Sequence, residues 1–192
     1  MVEMFDNPIY LDKPDYIIPL KGLTTPTQIY NFCRTNNISH FGYGFRFVRN
    51  SYFIEQIKFG YSAPEPNARS VQHGERLVRQ ASWLPGWSQT VHSSHGYELW
   101  HGCERLIAAG ILPANTLYED FEIAIWSVDS RINVSGFYLT RKEIAEFIES
   151  DLCNKYVDKF GKLPHLNIAD PTQNKTYRGL TKTNYMQLFE EK

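Results

Sequence analysis

The sequence predicts an α/β fold. It expects a small central three-stranded sheet of mixed or antiparallel pairing, flanked by helices and preceded by an N-terminal helical arm. Three observations carry this reading. Residues 41–48 and 52–61 are two neighbouring runs with the period-two pattern of strands. Residues 140–161 hold a complete helix signature, from capping residue to stop. Between them, helical patterns precede one further strand, over 121–128.

Residues 1–23 are rich in Pro, Asp and aromatics and read as an irregular arm. Thr24 or Thr25 is the expected cap of a short helix, with Pro26 in its first turn. Its apolar face is Ile29, Tyr30 and Cys33, and Asn36-Asn37 ends it. In the run 41–48, Tyr43, Phe45 and Phe47 share a face. With 52–61 it predicts an antiparallel hairpin turning at Asn50-Ser51. A helix is expected over 73–83, stopped by Leu84-Pro85-Gly86-Trp87, and another over 97–109. The last helix opens on the capping box Thr140-Arg141-Lys142-Glu143. It continues with Ile144, Phe147, Ile148, Leu152, Tyr156, Val157 and Phe160 as an apolar stripe, and Gly161 ends it. The chain divides into an arm and short helix (1–39), a main domain (40–170) and a polar tail (171–192).

With 192 residues, 42% hydrophobic and 21% charged, the composition is that of one ordinary globular domain. No apolar run reaches the ~20 residues of a membrane span, and the start lacks a signal-peptide pattern. A cytoplasmic protein without membrane partners is expected. Cys33, Cys103 and Cys153 are odd in number and far apart, as buried thiols of a reducing compartment would be. The net charge of −1 gives no general attraction to nucleic acid. Residues 41–80 nevertheless hold six basic side chains (Arg46, Arg49, Lys58, Arg69, Arg76, Arg79) against three acidic ones (Glu55, Glu65, Glu75). The placement of charge, more than its total, sets the local field.

Five segments in order then bring a family into view. These are Gly42-Tyr43, Lys58-Phe59-Gly60-Tyr61-Ser62, Gly74-Glu75-Arg76-Leu77, Glu149-Ser150-Asp151-Leu152, and Leu163-Pro164-His165-Leu166-Asn167. Over residues 40–168 the chain resembles the GIY-YIG nucleases, with Lys-Phe-Gly as a variant of the second signature. The resemblance implies a GIY-YIG-like domain and an endonuclease acting on double-stranded DNA with Mg²⁺ or Mn²⁺. It assigns Tyr43, Lys58, Arg76, Glu149 and Asn167 to catalysis and Glu149 to the metal. Arg46, Arg69, Arg79 and His73 are the expected DNA contacts. The gap from Tyr43 to Lys58 is longer than usual for the family. Because the first signature reads Gly-Tyr-Gly, its register stays open between Tyr43 and Phe45. Some family members carry a histidine one turn after the arginine, where this chain has Gln80.

The chemistry is consistent with those residue types. Phosphodiester hydrolysis needs an activated water, neutralisation of the phosphate and help for the leaving oxygen. Tyr43 supplies a base if its pKa falls, and an ammonium such as Lys58 would favour that. Arg76 offers a planar fork to two phosphate oxygens. Glu149 offers a metal ligand, with Glu146 one turn earlier as its rival. A restriction or a homing role fits, as does a monomer that nicks or a homodimer that cuts both strands. A non-catalytic DNA-binding protein on the same scaffold is the alternative.

Overall fold

The computed structural model describes residues 13–50, 53–64, 73–87, 94–129 and 140–167. The tail from 168 onward and Arg69 lie outside the described residues. The elements are β1 (Tyr16–Pro19), α1 (Thr27–Thr35), β2 (Phe41–Asn50), β3 (Phe53–Ser62), α2 (Glu75–Ala81), α3 (Ser94–Ala108), β4 (Phe121–Ser127) and α4 (Arg141–Phe160). A short 3-10 turn, Tyr118–Asp120, leads into β4.

The sheet has four strands in the order β1-β4-β2-β3, where three were expected, and every pairing is antiparallel. The additional strand comes from the arm expected to be irregular. Tyr16-Ile17-Ile18-Pro19 pairs with Glu122–Ile125 of β4. So short a strand between prolines has no pattern of its own, and the backbone of β4 supplies its partners. Pro19 is tolerated there because β1 is an edge strand.

One face of β2 carries Phe41, Tyr43, Phe45 and Phe47, all fully buried. They pack with Ile123 and Ile125 of β4, Ile29 and Cys33 of α1, Leu77 of α2, and Leu99 and Cys103 of α3. The opposite face presents Phe59, Ala124 and Trp126 to Ile144, Ile148, Leu152 and Tyr156 of α4. Helices therefore cover both faces of the sheet, and each such buried apolar side chain contributes about 1.5–3 kcal/mol. The apolar stripe of α4 stops sooner than its sequence suggests. Tyr156 is buried, whereas Phe160 is exposed.

The α4 cap is the reciprocal one expected. Thr140 Oγ1 accepts from Glu143 N, and the Glu143 carboxylate accepts from Thr140 N. The start of α1 differs. Neither threonine side chain caps it; instead Gln28 Oε1 accepts from Thr24 N and Thr25 N, at 2.7 and 3.0 Å. The long amide reaches back over the turn and satisfies donors ahead of Pro26.

One close approach sets the position of α4. A Cβ on Gly42 would collide with Cγ2 of Ile148 and lie 3.6 Å from the backbone N of Glu149. The helix thus rests on bare strand backbone at Gly42. That contact brings Glu149 to the sheet.

Candidate active site

The candidate site lies at the outer edge of β3, around Gly60. Tyr43 and Gly60 are directly opposed across β2 and β3. The Tyr43 ring lies across the space a Gly60 side chain would fill, since a Cβ there would meet Tyr43 Cζ and its hydroxyl at 2.6 Å. The missing side chain lets the buried phenol lie across its neighbour strand towards Gln80. The Tyr43 hydroxyl donates to Gln80 Oε1 at 2.6 Å. Phe45, the alternative to Tyr43, is opposed to Lys58 and packs edge-on against the Tyr43 ring at 5.7 Å. It has no hydroxyl to offer.

Arg76 enters from the first turn of α2. Its guanidinium carbon stands 4.6 Å from the centre of the Tyr61 ring. It is also within hydrogen-bonding reach of both the Tyr43 and the Tyr61 hydroxyls. Burial works to lower the Arg76 pKa, yet Tyr43, Tyr61 and Glu149 together hold it above its ordinary value. Arg76 is therefore a fixed cation. Glu149, from α4 on the opposite face of the sheet, acts electrostatically on both Arg76 and Tyr43. Glu146 acts on a different group: it lies within hydrogen-bonding reach of Tyr61. The two carboxylates of α4, one turn apart, thus act on different groups of one cluster.

Burial raises the Tyr43 pKa far above its ordinary value. The Arg76 charge opposes that rise and the Glu149 charge adds to it. The resting phenol is neutral. Arg76 Nε and Gln80 Nε2 are buried, and neither has an acceptor among the described residues. They sit four residues apart on α2, hence on one helix face. One of these donors belongs to the guanidinium itself, and a buried donor without an acceptor is costly to leave so.

Comparisons of the chain with protein-family models, with curated proteins and with solved structures find no match.

The other expected residues are placed differently. Lys58 is half-buried, and its Nζ donates to the Leu166 carbonyl at 3.4 Å. The cation acting on Tyr43 is Arg76. Asn167 is buried and clamps Phe59: its Oδ1 accepts from Phe59 N at 2.8 Å and its Nδ2 donates to Phe59 O at 3.1 Å. The resemblance assigns Asn167 to catalysis; in the structure its amide pairs with the backbone of β3. Arg46 was expected to meet DNA, but it is buried and ion-paired with Glu122, its cross-strand neighbour on β4. Arg79 is exposed and paired with Glu75 one turn earlier. His73, just ahead of α2, is half-buried, and its Nδ1 has no partner among the described residues.

Tyr61 is the site residue the sequence reading left out. It follows the second signature and, by strand alternation, points away from Tyr43. The two phenols meet at Arg76 because the site wraps around a sheet edge, which alternation does not reveal. Among the described residues no group of three or more His, Cys, Asp or Glu side chains gathers. A divalent cation here would have Glu149 as its protein ligand and take its other oxygens from water and substrate. That donor set suits Mg²⁺ or Mn²⁺, which keep several waters.

Proposed function

We propose that the chain is a metal-dependent endonuclease hydrolysing phosphodiester bonds of double-stranded DNA, as its resemblance to the GIY-YIG nucleases implies. The observation that supports this reading is that Arg76 lies within hydrogen-bonding reach of Tyr43 and that the Glu149 charge acts on both. The three come from β2, α2 and α4, which approach from different sides of the sheet. No packing requirement asks for a phenol, a guanidinium and a carboxylate at one point.

In this reading Arg76 binds the non-bridging oxygens of the scissile phosphate through its guanidinium, whose Nε has no acceptor among the described residues. Gln80 holds the Tyr43 hydroxyl and directs it. Tyr43, once its own proton has passed to solvent as hydronium or buffer acid, accepts the proton of the attacking water; that ionisation is one that Arg76 favours and burial opposes. Glu149 holds the divalent cation, which when bound would polarise the phosphate and stabilise the leaving oxygen. Lys58 and Asn167 keep β3 in place. Arg79 on α2 and His73 just ahead of it are the further DNA contacts of this reading, and restriction and homing roles both fit it.

The test is cleavage of a supercoiled plasmid with Mg²⁺, with Mn²⁺ and with EDTA. Nicked or linear product that EDTA abolishes is the expected result. Nicking alone points to a monomer with one site, and concerted linearisation to a homodimer. The burial of Tyr43 favours a second reading, a non-catalytic DNA-binding protein; DNA binding without any cleavage would select it.

A further inference from the structure

We propose that Tyr61, backed by Glu146, is a positioning residue that aims Arg76 at the phosphate; this rests on the nuclease reading above. Three observations support the assignment. The Arg76 guanidinium stacks on the Tyr61 ring at 4.6 Å. The Tyr61 hydroxyl lies within hydrogen-bonding reach of Arg76 on one side and of Glu146 on the other. Glu146 is only partly exposed, and its other charged neighbour, the Lys142 ammonium, is 3.9 Å away.

The roles follow from donor chemistry. A guanidinium only donates, and an ionised carboxylate only accepts. A phenol between them must accept from Arg76 and give its own proton to Glu146. Each bond polarises the other, so the carboxylate makes the phenol oxygen a better acceptor for the guanidinium. The ring fixes the plane of Arg76 from one side, and the hydroxyl fixes its rotation. Arg76 Nε is then held among the residues around Tyr43 and Gln80, where it has no acceptor of its own. Glu149 can serve the metal while Glu146 serves the arginine.

Tyr61→Phe keeps the ring and removes the relay; Tyr61→Leu removes both. Glu146→Gln keeps an oxygen that accepts the phenol proton, whereas Glu146→Leu does not. Plasmid cleavage and inorganic-phosphate binding by calorimetry are measured for each variant, with circular dichroism as the folding control. Tyr61→Phe should lower kcat by about 10- to 100-fold with KM changed less than about threefold, because the geometry of one transition-state donor is lost. Tyr61→Leu should fall further. Glu146→Leu should resemble Tyr61→Phe, and Glu146→Gln should recover most of the rate. The double variant Tyr61→Phe/Glu146→Leu should be no worse than Tyr61→Phe, since both act through one relay. Wild-type rates in Tyr61→Phe, or additive losses in the double variant, would overturn the inference and leave the nuclease reading standing. If the wild type binds phosphate but cuts no DNA, the nuclease reading fails alone. Tyr61 is then judged by phosphate affinity, which should fall at least about fivefold in Tyr61→Phe as one well-aimed charged donor is lost. A wild type that neither cuts DNA nor binds phosphate overturns both.

Discussion

The outer edge of β3 has two halves with opposite character. Over residues 57–59 it is closed by the chain that follows α4. Leu166 N donates to Ile57 O at 2.9 Å, and the Asn167 amide pairs with both backbone groups of Phe59. One residue further on, at Gly60, the described residues add no such backbone clamp, and Tyr43, Tyr61, Arg76 and Gln80 gather. The closed half uses polar groups to satisfy backbone, which is how an edge strand is kept from pairing elsewhere. The other half, open in that the described residues put no such clamp on it, holds polar groups whose partners are each other, together with two donors that have none among the described residues. Residues only a few positions apart on one strand thus differ in purpose, and substitutions on either side should separate stability from activity.

The largest effect is expected in the open half. Glu149→Ala should abolish plasmid cleavage while leaving folding and DNA affinity nearly intact. The helix keeps its Thr140–Glu143 cap and its apolar face, and alanine is the better helix former. Arg76→Ala should lose about 10²–10³-fold in kcat and also weaken DNA binding, since the guanidinium meets phosphate in the ground state and holds it more strongly in the transition state. Turnover and affinity measured side by side decide the matter. Full activity in Glu149→Ala would remove that carboxylate from the mechanism.

Next in size is a pH effect at Tyr43. Its pKa is raised by burial, so it stays protonated through the neutral range. If it is the base, the active fraction grows about tenfold per pH unit, and log kcat should climb with slope near one from about pH 6 to 8.5 with no plateau. Tyr43→Phe should remove both the activity and the slope. The linkage sign for stability is separate. A raised folded pKa adds nothing to the pH dependence below the ordinary value near 10. Above it the unfolded chain releases the proton first, so stability is lost as pH rises towards the folded pKa. A pH-independent rate would exclude Tyr43 as base.

Gly60→Ala tests the joint between the halves. The new Cβ would lie 2.6 Å from the Tyr43 ring and hydroxyl. The ring is fully buried, so it has little room to yield. A cost of about 1–3 kcal/mol from overpacking is expected. Loss of the Tyr43–Gln80 alignment should lower the rate more than stability alone explains. Unchanged melting temperature and rate would show that the phenol does not need its path over Gly60.

The degree to which this was legible in the sequence follows from the range of each determinant. The α4 helix was legible because its cap and its stop are local, set by Thr140, Glu143 and Gly161. The hairpin strands were legible from their alternation. Strand β1 was not, since only pairing with β4 makes it a strand. Arg46 looked like a surface cation until the β2–β4 register put Glu122 beside it. Tyr43, Arg76 and Glu149 were picked out by the order of their motifs, but Tyr61 was missed. Its place depends on how α2 crosses the end of the sheet, and no sequence period carries that information.

The smallest effects belong to the closed half, and they sharpen the comparison most. Asn167→Ala leaves the Phe59 N–H and C=O without side-chain partners in a buried setting. At about 1–3 kcal/mol for each unsatisfied group, a loss of roughly 2–6 kcal/mol is expected. That corresponds to a fall in Tm of roughly 4–24 °C for a chain of this length. The rate per folded molecule should stay within about threefold of wild type at low temperature, because Asn167 acts on the strand and not on the phosphate; by transition-state arithmetic that is under about 1 kcal/mol. Lys58→Met should do less still. Its bond to Leu166 O is long at 3.4 Å, and methionine keeps the apolar stem of the side chain. A change within about 1 kcal/mol is expected, with the slope of log kcat against pH unaltered. The measurement is a thermal melt and a pH–rate profile for both variants beside Arg76→Ala. If Lys58→Met lost cleavage as Arg76→Ala does, without a matching loss of stability, the ammonium would belong to the chemistry. The boundary between the two halves would then lie before residue 58 instead of at Gly60.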